Sequence, residues 1–284
     1  MKNIFESKEV TAAIPGENSA TIHEGRDCAI KNLLTAEATL VNDSELLLSE
    51  KGKKNEALLL EKEIADLSFA VSHDLKAPLR IISGYAGIIQ ADYSGALDTE
   101  GNRLLALIVE NASVMSTMLD AIVGLSRVTQ QEYVMQMADM NSLFNKISEE
   151  HKNSTTTETT MRISNLASVI CDVNAIRTVA GNLLSNAIKF SANATQPTIE
   201  IGSETGNEEV VYFVRDNGTG FDMKYSSKLF RLFQRLHSKS EYPGIGAGLA
   251  VAAKIIHKHG GKIWAESVEN KGTTFYFSLP INNQ

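Results

Sequence analysis

The stretch SFAVSHDLKAPLRIISGY, Ser68 to Tyr85, decides how the chain is read. Its spacing is helical, yet it sets His73 beside Asp74 and places Pro78 five residues after the histidine. A proline inside a helix gives no backbone donor, so it supplies a bend. Neutral imidazole is a fair nucleophile near pH 7. An adjacent carboxylate can hydrogen-bond the ring or accept its proton, leaving the attacking nitrogen free. Adjacent helical residues point about 100° apart, so this pair meets only through its rotamers and the bend. Taken alone, a histidine on a polar helical face is a surface side chain; the surrounding sequence has to decide.

Upstream, residues 1–28 are polar, contain Gly and Pro, and have no clear period, so they read as an irregular tail too short for a sensor domain. Residues 29–66 alternate apolar and charged side chains at helical spacing. Leu33, Leu40 and Leu47 recur seven apart, Leu60 and Leu67 repeat the interval, and Gly52 shifts the phase. This predicts a coiled coil with a fault in it; the other reading is an amphipathic helix packed on its own domain. Downstream the helical pattern continues to about Ala91. The turn residues of DYSGALDTEG span Asp92 to Gly101, and a second helix runs from about Asn102 to Gln130. Its apolar face holds Leu104, Leu105, Ile108, Ala112, Met115, Leu119, Ile122 and Leu125, with Met115 and Met118 as core filler. Two long helices joined by a short turn form an antiparallel hairpin. One hairpin buries little, whereas two from two chains make a four-helix bundle, so a homodimer is expected.

The 284-residue length suggests about two domains. A net charge of −7 gives no support to a nucleic-acid partner. No run of eighteen or more apolar residues appears, so no transmembrane segment is expected. The opening MKNIFESKEVTAAIPGE carries charges where a secretory leader needs an apolar core, which points to the cytoplasm. Cys28 and Cys171 match no metal-ligand spacing and read as ordinary reduced thiols.

Past a boundary near Gln130 to Met137 the pattern is mixed. A helix is expected from Asn141 to about His151, then a Thr-rich loop, a strand at Met161–Ile163 and a short strand at SVIC. Asp172 is placed to cap a long helix reaching Phe190. Strands follow at about Thr198–Gly202 and Glu209–Arg215, then a helix near Val251–Lys258 and a final hairpin, GKIWAESVENKGTTFYFSLP. The fold class is therefore α+β: helical segments, then a two-layer α/β sandwich with helices on one face of a mixed sheet.

Three stretches of this second part carry polar groups inside apolar patterns. In GNLLSNAIKFS, Asn182, Asn186 and Lys189 share one helical face. That face points either to phosphates and a hard cation that takes oxygen donors or to solvent. In VRDNGTGFD, Gly218 and Gly220 allow close backbone approach to a ring. Asp216 can accept from an exocyclic amine and Asn217 faces the same cleft; a common turn is the alternative. In YPGIGAGLAVAAKIIHKHGG, Gly244, Gly246 and Gly248 precede a helix whose backbone N–H groups can cradle phosphates. This is neither a Rossmann nor a Walker loop. The three stretches gain force from their order, after a hairpin that carries His73.

In that order the chain resembles the bacterial two-component sensor histidine kinases. VSHDLKAPLR is similar to the phosphoacceptor box, NLLSNAIKF to the N box, DNGTGFD and GIGAGL to the two glycine boxes, and KLFRLFQRLH to the F box. The wording is most similar to the phytochrome-like branch, over about residues 60 to 280. The resemblance implies a dimerisation and phosphotransfer hairpin at 67–132 and an ATP-binding domain of the gyrase, Hsp90 and MutL (GHKL) type at 138–284. It implies an ATP:protein-L-histidine phosphotransferase in which His73 takes the γ-phosphoryl group, with Asp74 assisting, and passes it to an aspartate of a response-regulator receiver domain. That partner would dock near His73 through Ile81, Ile82 and Tyr85. ATP and Mg²⁺ are the implied cofactors. Asn186 is the first Mg²⁺ ligand with Asn182 as helper, Lys189 meets phosphate, and Asp216 fixes adenine beside Asn217, Gly218 and Gly220. Gly244, Gly246, Gly248 and Leu249 form the hinge and cradle, and His237–Pro243 a short lid supported by Phe230, Phe233, Arg235 and Leu236, with Arg235 also in reach of phosphate; the two aromatics read equally as core.

The chain departs from the family pattern at Ala77, where Thr or Asn helps dephosphorylation, and at Ile245 and Ala247 in the second glycine box. No recognisable sensor domain precedes the coiled coil, so the input is expected either from another protein acting on the N-terminal helix or from a sensory domain missing from this chain. His237, His257 and His259 form no zinc set, and His257 and His259 suit a helix end. His23 and His151 read as surface. Two other readings stand beside the kinase: a nucleotide-binding pseudokinase or dimeric scaffold, and an ATPase of the same lineage, which would use an acid where Asn182 and Asn186 stand.

Overall fold

The structure is a computed structural model and describes residues 56, 59–152, 159–237, 241, 242 and 244–281. The expected tail at 1–28 and most of the expected coiled coil at 29–66, with Gly52, lie outside the described residues. The chain divides into two compact units, Met1–Leu60 and Glu61–Gln284. The second unit holds both the hairpin and the mixed sheet.

Helix α1 covers residues 59–92 and runs unbroken through Pro78. Helix α2 spans Thr99–Gln130. It starts three residues before the expected Asn102 because Asp98 caps it, its Oδ1 accepting from Gly101 N at 2.7 Å. Asn102 then closes the turn, donating through Nδ2 to the carbonyls of Ser94, Leu97 and Asp98. The helices meet through Leu79, Ala112 and Leu119. Ser126 Oγ donates to Ala65 O at 2.9 Å and Gln130 Nε2 to Asp66 Oδ1 at 2.7 Å. Ile81, Ile88, Leu104, Ile108 and Met115 stay exposed, so one hairpin leaves a broad apolar face uncovered. By length and composition α2 is also apolar enough to cross a membrane. Such a helix arises equally as a bundle helix, and here it is paired with α1.

Beyond the hairpin come β1 (Gln136–Ala138), α3 (Met140–Lys152), β2 (Thr160–Ile163), β3 (Val169–Cys171) and α4 (Val173–Ser191). They are followed by β4 (Thr198–Thr205), β5 (Glu209–Asp216), α5 (Gly248–Lys258), β6 (Ile263–Val268) and β7 (Gly272–Pro280). Strand β1 was not expected; it pairs antiparallel with β3. The main sheet has the order β2-β4-β5-β7-β6, with β2 parallel to β4 and the other pairs antiparallel. This is the expected mixed sheet with helices packed on it.

Alternation explains the burial. Val210, Tyr212, Val214 and Asp216 of β5 turn inward, while Arg215 is exposed on the other face. Helix α4 lies along the inner face, where Ile176, Val179, Leu183 and Leu184 are fully buried. Asp172 starts it, its Oδ1 accepting from Ala175 N at 2.9 Å. Truncating Leu183 to Ala would cost ~2–5 kcal/mol, the usual range for a buried leucine.

Candidate functional site

His73 stands on α1 with its side chain 78% exposed and Asp74 84% exposed, so none of the described residues covers either. The preceding Ser72 is buried, which orients the neighbouring turn with its back to the hairpin. His73 Nδ1 lies 3.2 Å from Asp74 Oδ1. A ring that donates from Nδ1 to the carboxylate keeps the lone pair on Nε2. Lys76, one turn further on, is held across the hairpin by Asp120 at 2.5 Å.

Away from the hairpin, a cleft of about 280 Å³ opens between α4, the start of α5 and the ends of the sheet. That is near the small end of the ~300–1,000 Å³ common for ligand sites. Asn182, Asn186 and Lys189 reach it from α4. Gly244, Gly246, Gly248 and Leu249 reach it from the loop into α5, and Gly220 and Arg235 also line it.

The glycines are needed for two reasons. Gly244 and Gly246 have φ of 129° and 74°, a region that costs other residues energy. Gly248 has ordinary backbone, but a Cβ there would collide with the side-chain oxygen of Asn182. Asn182 donates through Nδ2 to Thr178 O at 3.0 Å, which turns its oxygen toward α5. The amide and the helix start are thus fitted to each other.

Asp216 ends β5 and is 4% exposed. Its Oδ1 accepts from Gly218 N at 2.9 Å and from Thr273 N at 3.3 Å, and Thr273 lines the cleft. Burial pushes its carboxyl up to about 6, against the two backbone hydrogen bonds, which favour the charged form. Gly218 packs against the Phe190 carbonyl, where a Cβ would clash.

Four of the expected nucleotide-site residues do not line the cleft: Asp216, which meets it only through Thr273, and Asn217, Gly218 and Phe233. Asn217 is exposed and tied to its own strand edge: Oδ1 accepts from Thr198 N and Nδ2 donates to Gln196 O. It lies with Gly218 along a separate, shallower hollow. Phe233 sits behind the glycine loop, with φ of 61° and its N–H donating to Gly246 O at 2.9 Å.

Arg235 donates to Gly244 O at 2.6 Å and to Tyr242 O at 2.5 Å, so its guanidinium braces the loop beside the cleft. Phe190, the last aromatic of α4, packs against His237 and Tyr242 with ring centroids 5.2 and 4.9 Å away. Lys189 Nζ lies 4.3 Å from the Phe190 ring centroid. Burial first, and then the charge of Arg235, push the Lys189 ammonium below its ordinary range. Phe190 and Tyr242 were not read as site residues. Their signal was present, an aromatic at the end of the Asn-bearing face and another before the glycines, but it reads equally well as core.

Among the described residues no cluster of three or more His, Cys, Asp or Glu could hold a metal. A cation at this cleft would therefore rely on amide oxygen. Asn186, on the cleft wall, offers one, while that of Asn182 already packs against α5. This donor set suits Mg²⁺, which typically takes one or two protein oxygens and completes its shell with water and phosphate.

Residues 171–283 match the family of histidine kinase-, DNA gyrase B- and HSP90-like ATPases, and residues 65–131 match the His Kinase A (phospho-acceptor) domain. Cyanobacterial phytochrome A of Nostoc sp. is 34% identical over 223 residues, covering 78% of this chain and 29% of that protein. The methanogenesis regulatory histidine kinase FilI of Methanothrix harundinacea is 36% identical over 225 residues, covering 77% of this chain and 25% of that protein. The chain thus spans less than a third of the length of these curated relatives. Full-length ShkA in complex with AMPPNP superposes with a TM-score of 0.56 at 18% identity, over 78% of this chain and 47% of that chain. At that identity the likeness is one of fold.

Proposed function

The chain belongs to the two-component sensor histidine kinases, and from that premise we propose that it is an ATP-dependent protein kinase whose own His73 receives the γ-phosphoryl group. The proposal continues with transfer to an aspartate of a receiver domain. One observation carries it: a single cleft joins the amide and ammonium face of α4 to the glycine-rich start of α5, in a chain that also presents a bare imidazole.

Each residue then has a task. The N–H groups at the start of α5 meet phosphate oxygens at the helix's positive end. Lys189 adds a positive charge from the cleft wall. Asp216 accepts from the exocyclic amine of adenine. Arg235 holds the loop at Tyr242 and Gly244, and Asn186 would hold Mg²⁺, with Asn182, its oxygen against α5, beside it. When bound, the cation neutralises phosphate charge that builds up during transfer. Asp74 holds the Nδ1 proton so that Nε2 of His73 presents its lone pair. The exposed apolar face of the hairpin supports a homodimer, and Ile81, Ile82 and Tyr85 near His73 offer the receiver domain a docking surface. Ala77 supplies no polar side chain to orient a water, so phosphatase activity by that route is not expected. We place it in the cytoplasm under an upstream sensory partner, with 67–132 as the phosphotransfer hairpin and 138–284 as the ATP-binding domain.

The test is incubation with γ-labelled ATP and Mg²⁺ beside a His73→Gln control. Acid-labile label on the native protein alone is expected. ATP binding without label would favour a nucleotide-binding scaffold.

A further inference from the structure

The end of α5 opposite the cleft is bound to the base of the hairpin. Lys258 Nζ donates to the carbonyls of Val128, Thr129 and Gln131, at 3.1, 2.9 and 2.5 Å. These are the carbonyls that the end of α2 leaves without helical donors. The same ammonium lies 4.7 Å from the Tyr133 ring centroid, and the next residue, His259, stacks on that ring at 4.6 Å. His259 Nε2 accepts from Asp172 N, and Asp172 Oδ2 accepts from Val134 N. One turn back along α5, Lys254 pairs with Glu61 at 2.9 Å. The segment joining α2 to β1 is therefore strapped to α5 on both sides of Tyr133.

The strap has a direction. Across the hairpin Gln130 meets Asp66 and Lys76 meets Asp120, so residues 128–131 stand level with about residues 65–68 of α1. Lys258 binds at that level, and Lys254 binds lower, at Glu61. Helix α5 therefore runs away from His73 toward its own N-terminus, where the glycines line the cleft. His73 lies twelve residues above Glu61, about 18 Å of helix rise. A two-fold partner would repeat the same levels. Phosphoryl transfer needs the reacting atoms about 3–3.5 Å apart, and His73 is bare in this arrangement.

We infer that Lys258 is a positioning residue that clamps the ATP-binding domain at the hairpin base, and that the clamp must open before the cleft reaches His73. This rests on the kinase reading above. Helix α5 links the two events physically, with phosphate bound at one end and the clamp at the other.

The test uses the full chain with Lys258→Met, which keeps the stem and removes the charge, and Lys258→Arg, which keeps the donors. Hydrogen exchange at the Val134 amide needs no turnover and reads the clamp directly. In Lys258→Met it should rise about tenfold or more, the rate of His73 labelling in a single turnover should rise several-fold, and ATP affinity should change less than about twofold. Lys258→Arg should stay close to the native protein in all three. Unchanged exchange in Lys258→Met would overturn the clamp. Faster exchange with unchanged or slower labelling would overturn its role as the restraint. A protein that takes no label with or without Lys258 would overturn the kinase reading, and the exchange result would still decide whether the clamp exists.

Discussion

At the scale of single residues, Asp216 makes a claim that can be tested without catalysis. Its carboxyl is raised to about 6 by burial, from an ordinary 3.8. Between those values the folded protein holds a proton that the unfolded chain releases. Stability is therefore fullest at low pH and falls as pH rises through the window from about 4 to 6, by up to about 3 kcal/mol for this group. Asp216→Asn should flatten that fall in urea denaturation compared at pH 4.5 and 7, and be the more stable protein at pH 7. The same change sets an amide N–H₂ where adenine presents its own donor, so ATP affinity should drop tenfold or more. Stability up with affinity down is the signature of a residue kept for binding. Gly248→Ala should act differently. Its methyl displaces the Asn182 amide, so both ATP affinity and melting temperature should fall, as titration calorimetry and thermal unfolding would show. Residues of this kind were unevenly legible in the sequence. Asp172 before a helical run reads as a cap because the bond is local. Asn217 has the same chemistry as Asn186, but its bonds go to Thr198 N and Gln196 O across the strand edge. No local pattern records that.

At the scale of elements, the hairpin was readable because long amphipathic helices declare themselves over many turns. Its turn was less so, since the start of α2 depended on whether Asp98 or a later residue capped it. Strand β1 went unread because three residues carry no period, and only pairing with β3 makes it a strand. The apolar face of α2 carries a prediction of its own. Ile108 and Met115 are exposed, two turns apart, on a face that the described residues do not cover. Ile108→Glu with Met115→Glu should turn a dimer into a monomer in sedimentation equilibrium, because buried carboxylates would face each other across the bundle. ATP affinity should stay within about twofold. A native protein that sediments as a monomer would contradict the four-helix arrangement.

At the scale of the whole molecule, the order of the motifs was the most legible feature, because a hairpin histidine followed by Asn, Asp and Gly stretches is a long, specific pattern. How the two parts are held together was not legible. Lys258 reads as an ordinary charged residue at a helix end, and its three carbonyl partners lie 127 to 130 positions away. His259 was placed correctly near a helix end, yet it is buried and bonded to Asp172, 87 positions away. The central claim is that these parts serve one reaction, transfer of a phosphoryl group to Nε2 of His73. The most direct measurement is ³¹P NMR of the protein after reaction with ATP and Mg²⁺, held at neutral pH, beside His73→Gln. The account expects one phosphohistidine resonance, at the Nε2 position, missing from the variant. Phosphate on Nδ1, where Asp74 should hold the proton, or on any residue in the His73→Gln protein, would contradict it.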